Sequence, residues 1–454
     1  MPGGPRVVGP GAASRRHRTS RMPFRRLFAG GRAHVALAAF LTSAVAARPA
    51  GAQRPAPTLP EVVAYALRNN PDVVTARTRI DSARGEQRIA RSFQNPTFTT
   101  IPGVPFQYSL AQNLDIGPER LFRTRASGQG AGATRLDYAD QTRQTVYNVR
   151  QAYYDLLLAE ALRQLAADQR GRYRQLLQAD SFRLRVGDLP RKDVAASFLN
   201  VVRADANLAR ADAAARAARV NLQLLMGVPH PDTAFRVRGA LRYQPLELPL
   251  DSLRPIALAD RPDVGAARVR TQQSRSLRSL ATSQLFPVPG VGAVYQPSAP
   301  FESGRHYAFA FSFSLPLLYT FGGERQRAAA GVQAADVAAA RSTQQAEADV
   351  SAAAETYRAT RVLAERYSAG LLAQTREALE MQRYAYQQGA ASLTDLVQAI
   401  QAFGDIQTDY YTSVHDYWVA AFAIDRAVAR DLVPDTAPDP SPPGSDPAAS
   451  PTIP

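Results

Sequence analysis

Two stretches of roughly 65 residues, from Pro118 to Val186 and from Glu324 to Gln388, continue without an internal proline in a chain of 454 residues. At 1.5 Å per residue, each would reach on the order of 100 Å as a straight helix, longer than any compact domain requires. Apolar Val146, Val149, Tyr153 and Leu157 recur at three- and four-residue spacing in the first stretch. The second is dense in alanine, at 328–330, 338–340 and 352–354. Small side chains let helices approach closely on more than one side, as in a wall of helices; a plain coiled-coil rod accounts for the same pattern.

What surrounds the long stretches argues against the rod, because the chain repeats its plan. From Leu59 to Phe93 it reads as a helix broken at Asn69-Asn70-Pro71-Asp72, with proline at the first position of a restarted helix. Leu258 to Val264, with Arg261-Pro262-Asp263, echoes Leu67 to Val73. After each break the apolar period falls to two, over Asn95–Asp115 and Pro287–Leu318. Each strand region leads through a Glu-Arg turn into a long helix that stops at Gly187 or Gly389, and a second helix then returns, to about Met226 or Leu432. The expected order in each half is helix, strand pair, long helix, tip, returning helix. The expected boundaries are a leader over 1–52, repeats over 53–228 and 254–432, a Pro-rich connection over 229–253 and a disordered Pro-rich tail over 433–454.

In the second strand region Tyr307, Phe309, Phe311, Phe313 and Leu315 alternate with Ala308, Ala310, Ser312 and Ser314; Phe106, Tyr108 and Leu110 repeat the pattern in the first half. Nine residues with one aromatic face suit a membrane-spanning β-strand with that face toward lipid; a strand of a soluble sandwich shows the same alternation. Counting Thr97–Ile101 and Val291–Tyr295 as partners, the chain offers about four strands. Four strands cannot close in hydrocarbon, where open edges strand N–H and C=O groups at several kcal/mol each. Three copies would supply twelve, enough to leave a lumen open to water.

The formal charge of +15 at first suggests a nucleic-acid partner, but ten arginines and no acids lie in residues 1–54, so the remainder carries +5. That segment reads as an export leader: basic to Arg32, apolar from Val35 to Ala47, then Ala50-Gly51-Ala52 before a mature start near Gln53. Met22 also opens a leader of ordinary length. The apolar run is short of the ~20 residues a membrane-spanning helix needs. No cysteine is present, so disulfides, thiolate metal sites and lipid attachment at a leader cysteine are excluded.

Catalytic signatures are missing. His17, His34, His230, His306 and His415 are scattered, with no metal-binding spacing, and no cofactor or metal is expected. The segment Gly128 to Ala133 loosely resembles a dinucleotide loop but sits in no βαβ context. No phosphate-cradling loop and no nucleophile elbow occur, so the chain reads as a non-enzyme.

The Asn70-Pro71-Asp72 and Arg261-Pro262-Asp263 breaks, the strand end Ser314-Leu315-Pro316-Leu317 before Phe321-Gly322-Gly323, and the two glycine tips together resemble the TolC or outer membrane efflux protein family over nearly the whole mature chain. The resemblance implies a mainly α fold with a small β part: a homotrimer with a twelve-stranded outer-membrane β-barrel continued by a periplasmic α-helical barrel. It implies an exit duct for drugs, metal ions or other exported solutes, in the cell outer membrane and extending into the periplasm, served by an adaptor protein and an inner-membrane pump. A periplasmic coiled-coil scaffold is the competing reading. The adaptor-contacting tips implied here are Gly187, Asp188, Leu189, Gly389, Ala390 and Ser392. The lipid-facing barrel residues are Phe106, Tyr108, Leu110, Tyr307, Phe309, Phe311, Phe313 and Leu315.

The resemblance also implies a gate at Asp395, Tyr386 and Asp193, with Asp395 ringing a constriction and Tyr386 bonding Asp193. Gln398 and Ala391 stand where a second acid and an arginine of that lock are expected. Helix N-capping or first-turn placement explains Asp193 and Asp395 equally well.

Overall fold

The computed structural model describes residues 56–103, 106–297, 304, 306–313 and 316–435; the leader with its cleavage site, Leu315 and the tail from residue 436 lie outside the described residues. In chain order the elements are α1 (Leu59–Asn69), α2 (Pro71–Arg91), β1 (Thr97–Ile101), β2 (Gln107–Asn113), α3 (Pro118–Arg185) and α4 (Arg191–Met226). There follow α5 (Leu253–Asp260), α6 (Pro262–Ser283), β3 (Pro289–Gln296), β4 (His306–Phe313), α7 (Gly322–Arg366), α8 (Leu372–Gln387) and α9 (Leu393–Val428).

The helix breaks are built by their own residues. Asn70 Oδ1 accepts from the backbone of Asp72 (2.9 Å) and Val73 (3.3 Å), capping α2, while its Nδ2 donates to the Leu225 carbonyl near the end of α4 (2.7 Å). Gly227 ends α4 at φ +77, and a Cβ there would meet the Asn69 carbonyl oxygen at 2.3 Å. In the second half Arg261 takes the place of Asn70. It binds Asp263, Asp349 (2.8 Å) and the Ala427 carbonyl (3.4 Å) near the end of α9. Each break therefore fastens the returning helix of its own half.

The long helices differ. α3 is unbroken for 68 residues. Its expected counterpart is not continuous: a wide turn over Tyr367–Leu371 separates α7 from α8, with Gly370 at φ 108 and ψ −3. Freedom from proline did not guarantee continuity, because a glycine released the helical φ instead.

The four strands form one antiparallel sheet in the order β1-β2-β3-β4. Tyr108 lies opposite Tyr295, and Tyr295 opposite Tyr307. With Phe98 they make a row of rings at 6.3, 6.1 and 5.1 Å across all four strands. The period of two puts Phe98, Tyr108, Leu110, Phe309, Phe311 and Phe313 on the face of that row. Phe106 precedes β2, with its ring 5.0 Å from that of Tyr108. Ala111, Gly290, Gly292, Ala308, Ala310 and Ser312 share the other face. Every residue of β4 is exposed, Phe309 at 83 %. Both outer strands, β1 and β4, leave an edge without a partner among the described residues.

The main core lies where both halves' helices meet. Tyr153, Tyr154, Tyr357, Tyr417, Trp418 and Phe422 are buried there. The connection over 229–253 is docked against this core: Trp418 Nε1 donates to the Arg242 carbonyl (2.9 Å), Tyr417 Oη to the Gln244 carbonyl (3.0 Å) and Tyr357 Oη to the Leu246 carbonyl (2.7 Å). Beyond α9, which ends at Val428, Val433 is buried in the same core and its N–H donates to Asp425. The first residues expected in the free tail are thus packed.

Candidate functional site at the helix tips

Both tips are glycine C-caps. Gly187 (φ +84) follows α3 and Gly389 (φ +75) follows α8, left-handed positions that a residue with a Cβ adopts at a cost. The Asp188 N–H closes on the Arg183 carbonyl (2.9 Å) and the Ala390 N–H on the Ala385 carbonyl (2.9 Å). The Arg183 guanidinium bonds the Asp188 carboxylate at 2.8 Å. Asp188, Ala390 and Ser392 are exposed and Leu189 is half-buried.

Asp395 is the third residue of α9 and forms a capping box. Its N–H donates to Ser392 Oγ (3.2 Å), and its carboxylate accepts from the Ser392 N–H (3.0 Å) and hydroxyl (2.7 Å). Those bonds hold its pKa below the usual carboxylate value. Asp193 occupies the first turn of α4, half-buried.

Tyr386 does not bond Asp193. Its hydroxyl donates to Asp180 Oδ1 at 2.7 Å, and Ser197 Oγ donates to the other oxygen of the same carboxylate. Asp180 is fully buried, and Ser197 and Tyr386 nearly so. The reason is placement: Asp180 lies on the face of α3 turned toward α8, whereas Asp193 begins the next helix and reaches Tyr386 only through its charge. Burial, and then the Asp180 carboxylate, push the Tyr386 pKa up, so the phenol stays protonated and donates. The Arg183 guanidinium lies 5.3 Å from the centre of the Tyr386 ring. The arrangement joins α3, α4 and α8 through one carboxylate just above the tips. Around it Tyr173, Leu176, Leu379, Leu396, Ile400 and Phe403 form a second, smaller core.

Asp180 and Ser197 were absent from the sequence expectation. The signal was present: Tyr173, Leu176 and Asp180 fall at i, i+3 and i+7, placing an acid in an apolar stripe. Among the described residues no group of His, Cys, Asp or Glu is arranged to hold a metal ion, and no helix is long and apolar enough to cross a membrane.

Residues 62–228 match the outer membrane efflux protein family. The fold is similar to that of the outer membrane protein VceC of Vibrio cholerae (18 % identity, 82 % of this chain and 96 % of that one, TM-score 0.69). It is similar also to the CmeC outer membrane channel of Campylobacter jejuni (16 %, 83 % and 87 %, TM-score 0.73). A third similar structure is the open state of the MtrE outer membrane channel of Neisseria gonorrhoeae (21 %, 83 % and 90 %, TM-score 0.67). No curated protein sequence matches the chain. The family match covers residues 62–228, and over more than four fifths of the chain the likeness to these outer membrane channels is one of fold.

Proposed function

We propose that three copies of the chain pool their strands into a twelve-stranded barrel and their helices into a tunnel, forming the passive exit duct of a tripartite efflux pump. The observation that carries this reading is a sheet that has, among the described residues, four strands, two unpartnered edges and an exposed aromatic strand, β4. Four strands have no closed form in lipid, and the aromatic row on one face with Ala, Gly and Ser on the other suits hydrocarbon outside and water inside. The two halves of each chain are tandem repeats, so three chains contribute six similar sectors.

In this reading Gly187, Asp188, Leu189, Gly389, Ala390 and Ser392 meet the periplasmic adaptor. Asp395, exposed at the tip, lines the constriction, and Tyr386 and Asp193 belong to the resting gate, with Asp180 as the hydroxyl's acceptor. The duct transfers no group and hydrolyses nothing; the inner-membrane pump drives transport.

Planar-bilayer recording tests the duct. Purified protein is expected to give discrete single-channel steps; a preparation that inserts but never conducts would contradict the reading. Tyr386→Phe is expected to raise the open fraction by loosening α8 from α3. Asp395→Ala is expected to weaken block by multivalent cations, and unchanged block removes Asp395 from the constriction. Lys192, exposed on the first tip, is the chain's only lysine, so an amine-reactive cross-linker is expected to join the adaptor at that one side chain.

A further inference from the structure

Positive charge is concentrated where the helices meet the sheet. The ten residues of α2, α3, α6 and α7 nearest the strands, at 82–91, 118–127, 274–283 and 322–331, together hold ten arginines and three glutamates, a net +7. The whole chain after residue 54 carries only +5, so the rest of it is slightly acidic. Within this basic collar a groove of about 430 Å³ runs between α3 and α6. Arg275, Arg278, Ser279 and Thr282 of α6 line it with Phe122 of α3 and Phe286, and no acid does. The two hydroxyls donate to the Arg275 and Arg278 carbonyls of their own helix (3.2 and 3.0 Å), which leaves the guanidinium groups as the donors open to a ligand. Both arginines are exposed. Arg275 lies 3.3 Å from Asp336 in a pair open to solvent, and the Arg278 side chain makes no hydrogen bond or ion pair among the described residues. An exposed pair is worth little and yields to an acceptor that guanidinium forks bind more strongly, such as a phosphate.

Phe286 also lines an apolar hollow with Leu317, Leu318 and Tyr319, just beyond β4. All four are strongly exposed, Leu318 entirely, and one acid, Glu119, borders the hollow. Large apolar side chains left in the open match the sheet's aromatic face and not its Ala, Gly and Ser face, which puts groove and hollow on the lipid side. Arg278 and Arg275 stand about 8 and 12 Å along the axis from the end of α6, a depth that long, snorkelling side chains span to reach a headgroup layer. We propose that the groove holds the phosphate of an anionic glycerophospholipid from the periplasm-facing leaflet, with its acyl chains over Phe286, Leu317 and Leu318. A zwitterionic lipid would bring its own cation to a groove that already holds two. The inference rests on the barrel reading, because lipid meets this groove only if the sheet above it stands in hydrocarbon.

The test is native mass spectrometry of full-length, processed protein from micelles doped with equal amounts of phosphatidylglycerol and phosphatidylcholine of the same acyl chains. The parent is expected to retain phosphatidylglycerol about tenfold over phosphatidylcholine, saturating at one tightly held lipid per chain. Each arginine near an anionic headgroup is worth about fivefold, so Arg275→Gln with Arg278→Gln should remove the preference. Arg203→Gln, an exposed arginine of α4 far from the sheet, should leave it unchanged. Glycerol 3-phosphate, a free phosphate without chains, should not displace the lipid. Equal retention of the two lipids by the parent, an unchanged preference in the double variant, an equal loss in Arg203→Gln, or displacement by glycerol 3-phosphate would each overturn the proposal. The comparison of lipids on the parent needs no variant, so a substitution that unfolds the protein does not shield the proposal. Planar-bilayer conductance in phosphatidylcholine alone, recorded on the same preparation, separates the two readings. A parent that conducts but retains both lipids equally overturns the lipid site and leaves the duct standing; one that neither conducts nor retains lipid overturns both.

Discussion

At the scale of single residues, the two halves solve one problem with different side chains. Gly227 and Ala429 both take a left-handed φ after a returning helix, at +77 and +58. Gly227→Ala adds a Cβ to a left-handed position that also faces the Asn69 carbonyl at 2.3 Å. It is expected to cost well over ~1 kcal/mol and to lower the apparent thermal midpoint. Ala429→Gly relieves the same strain and is expected to gain a few tenths to about 1 kcal/mol. Asn70→Ala removes the cap of α2 and leaves the Leu225 carbonyl without its donor, an expected loss of about 1–2 kcal/mol in the same melts. His415 is a third case. Burial opposes its charge, but bonds to Asp155 on α3 (2.7 Å) and Asp416 (2.9 Å) prevail and raise its pKa from 6.5 to about 9. A raised folded-state pKa means that this stabilisation is fully present below pH 6.5 and is lost as pH climbs through about 9. His415→Gln should therefore melt below the parent at pH 6 and close to it at high pH; a gap independent of pH would contradict the account.

At the scale of elements, the second long helix is where expectation and structure part. Its start, its end and the Gly389 tip were legible from proline spacing and glycine placement, as was the break at Asn70-Pro71-Asp72. The interruption at 367–371 was not, because a single glycine in an alanine-rich, proline-free run reads as a tolerated helical residue. Only the positive φ distinguishes Gly370 from Gly171, which sits inside α3 with helical geometry and open space around it. The two give opposite expectations. Gly171→Ala should stabilise by about 0.5–1 kcal/mol, and Gly370→Ala should destabilise by about 1–2 kcal/mol, compared as apparent midpoints. Equal shifts would mean that the chain at 370 is an ordinary helix. The partner of Tyr386 was out of reach for a related reason. The resemblance marked Tyr386, Asp193 and Asp395 by their distances from the tip glycines, but the acceptor of the Tyr386 hydroxyl, Asp180, is set by which face of α3 meets α8, and spacing from Gly187 carries no such information. The connection over 229–253 was legible as a connection by its prolines, whereas its docking through carbonyls of Arg242, Gln244 and Leu246 depends on backbone groups that no side-chain pattern records.

At the scale of the whole molecule, the beginning and the end of the described chain meet in one core. Arg150 of α3 is buried against Asp425 of α9 and also bonds Asp431 and Asp435, so the exit of the chain is pinned beside the middle of α3. Such a buried cation tolerates loss of its partners poorly, and one of them, Asp425, also accepts from the Val433 N–H. That core fixes the helices of one chain to each other but does nothing for the sheet, whose outer edges and aromatic face have no partner among the described residues. The account therefore rests on copies completing each other's sheet. Native mass spectrometry of the detergent-extracted protein tests this most directly. The account predicts a complex of three processed chains that survives detergent removal in the gas phase. A single chain as the sole species, at protein concentrations that keep the fold intact, would contradict it.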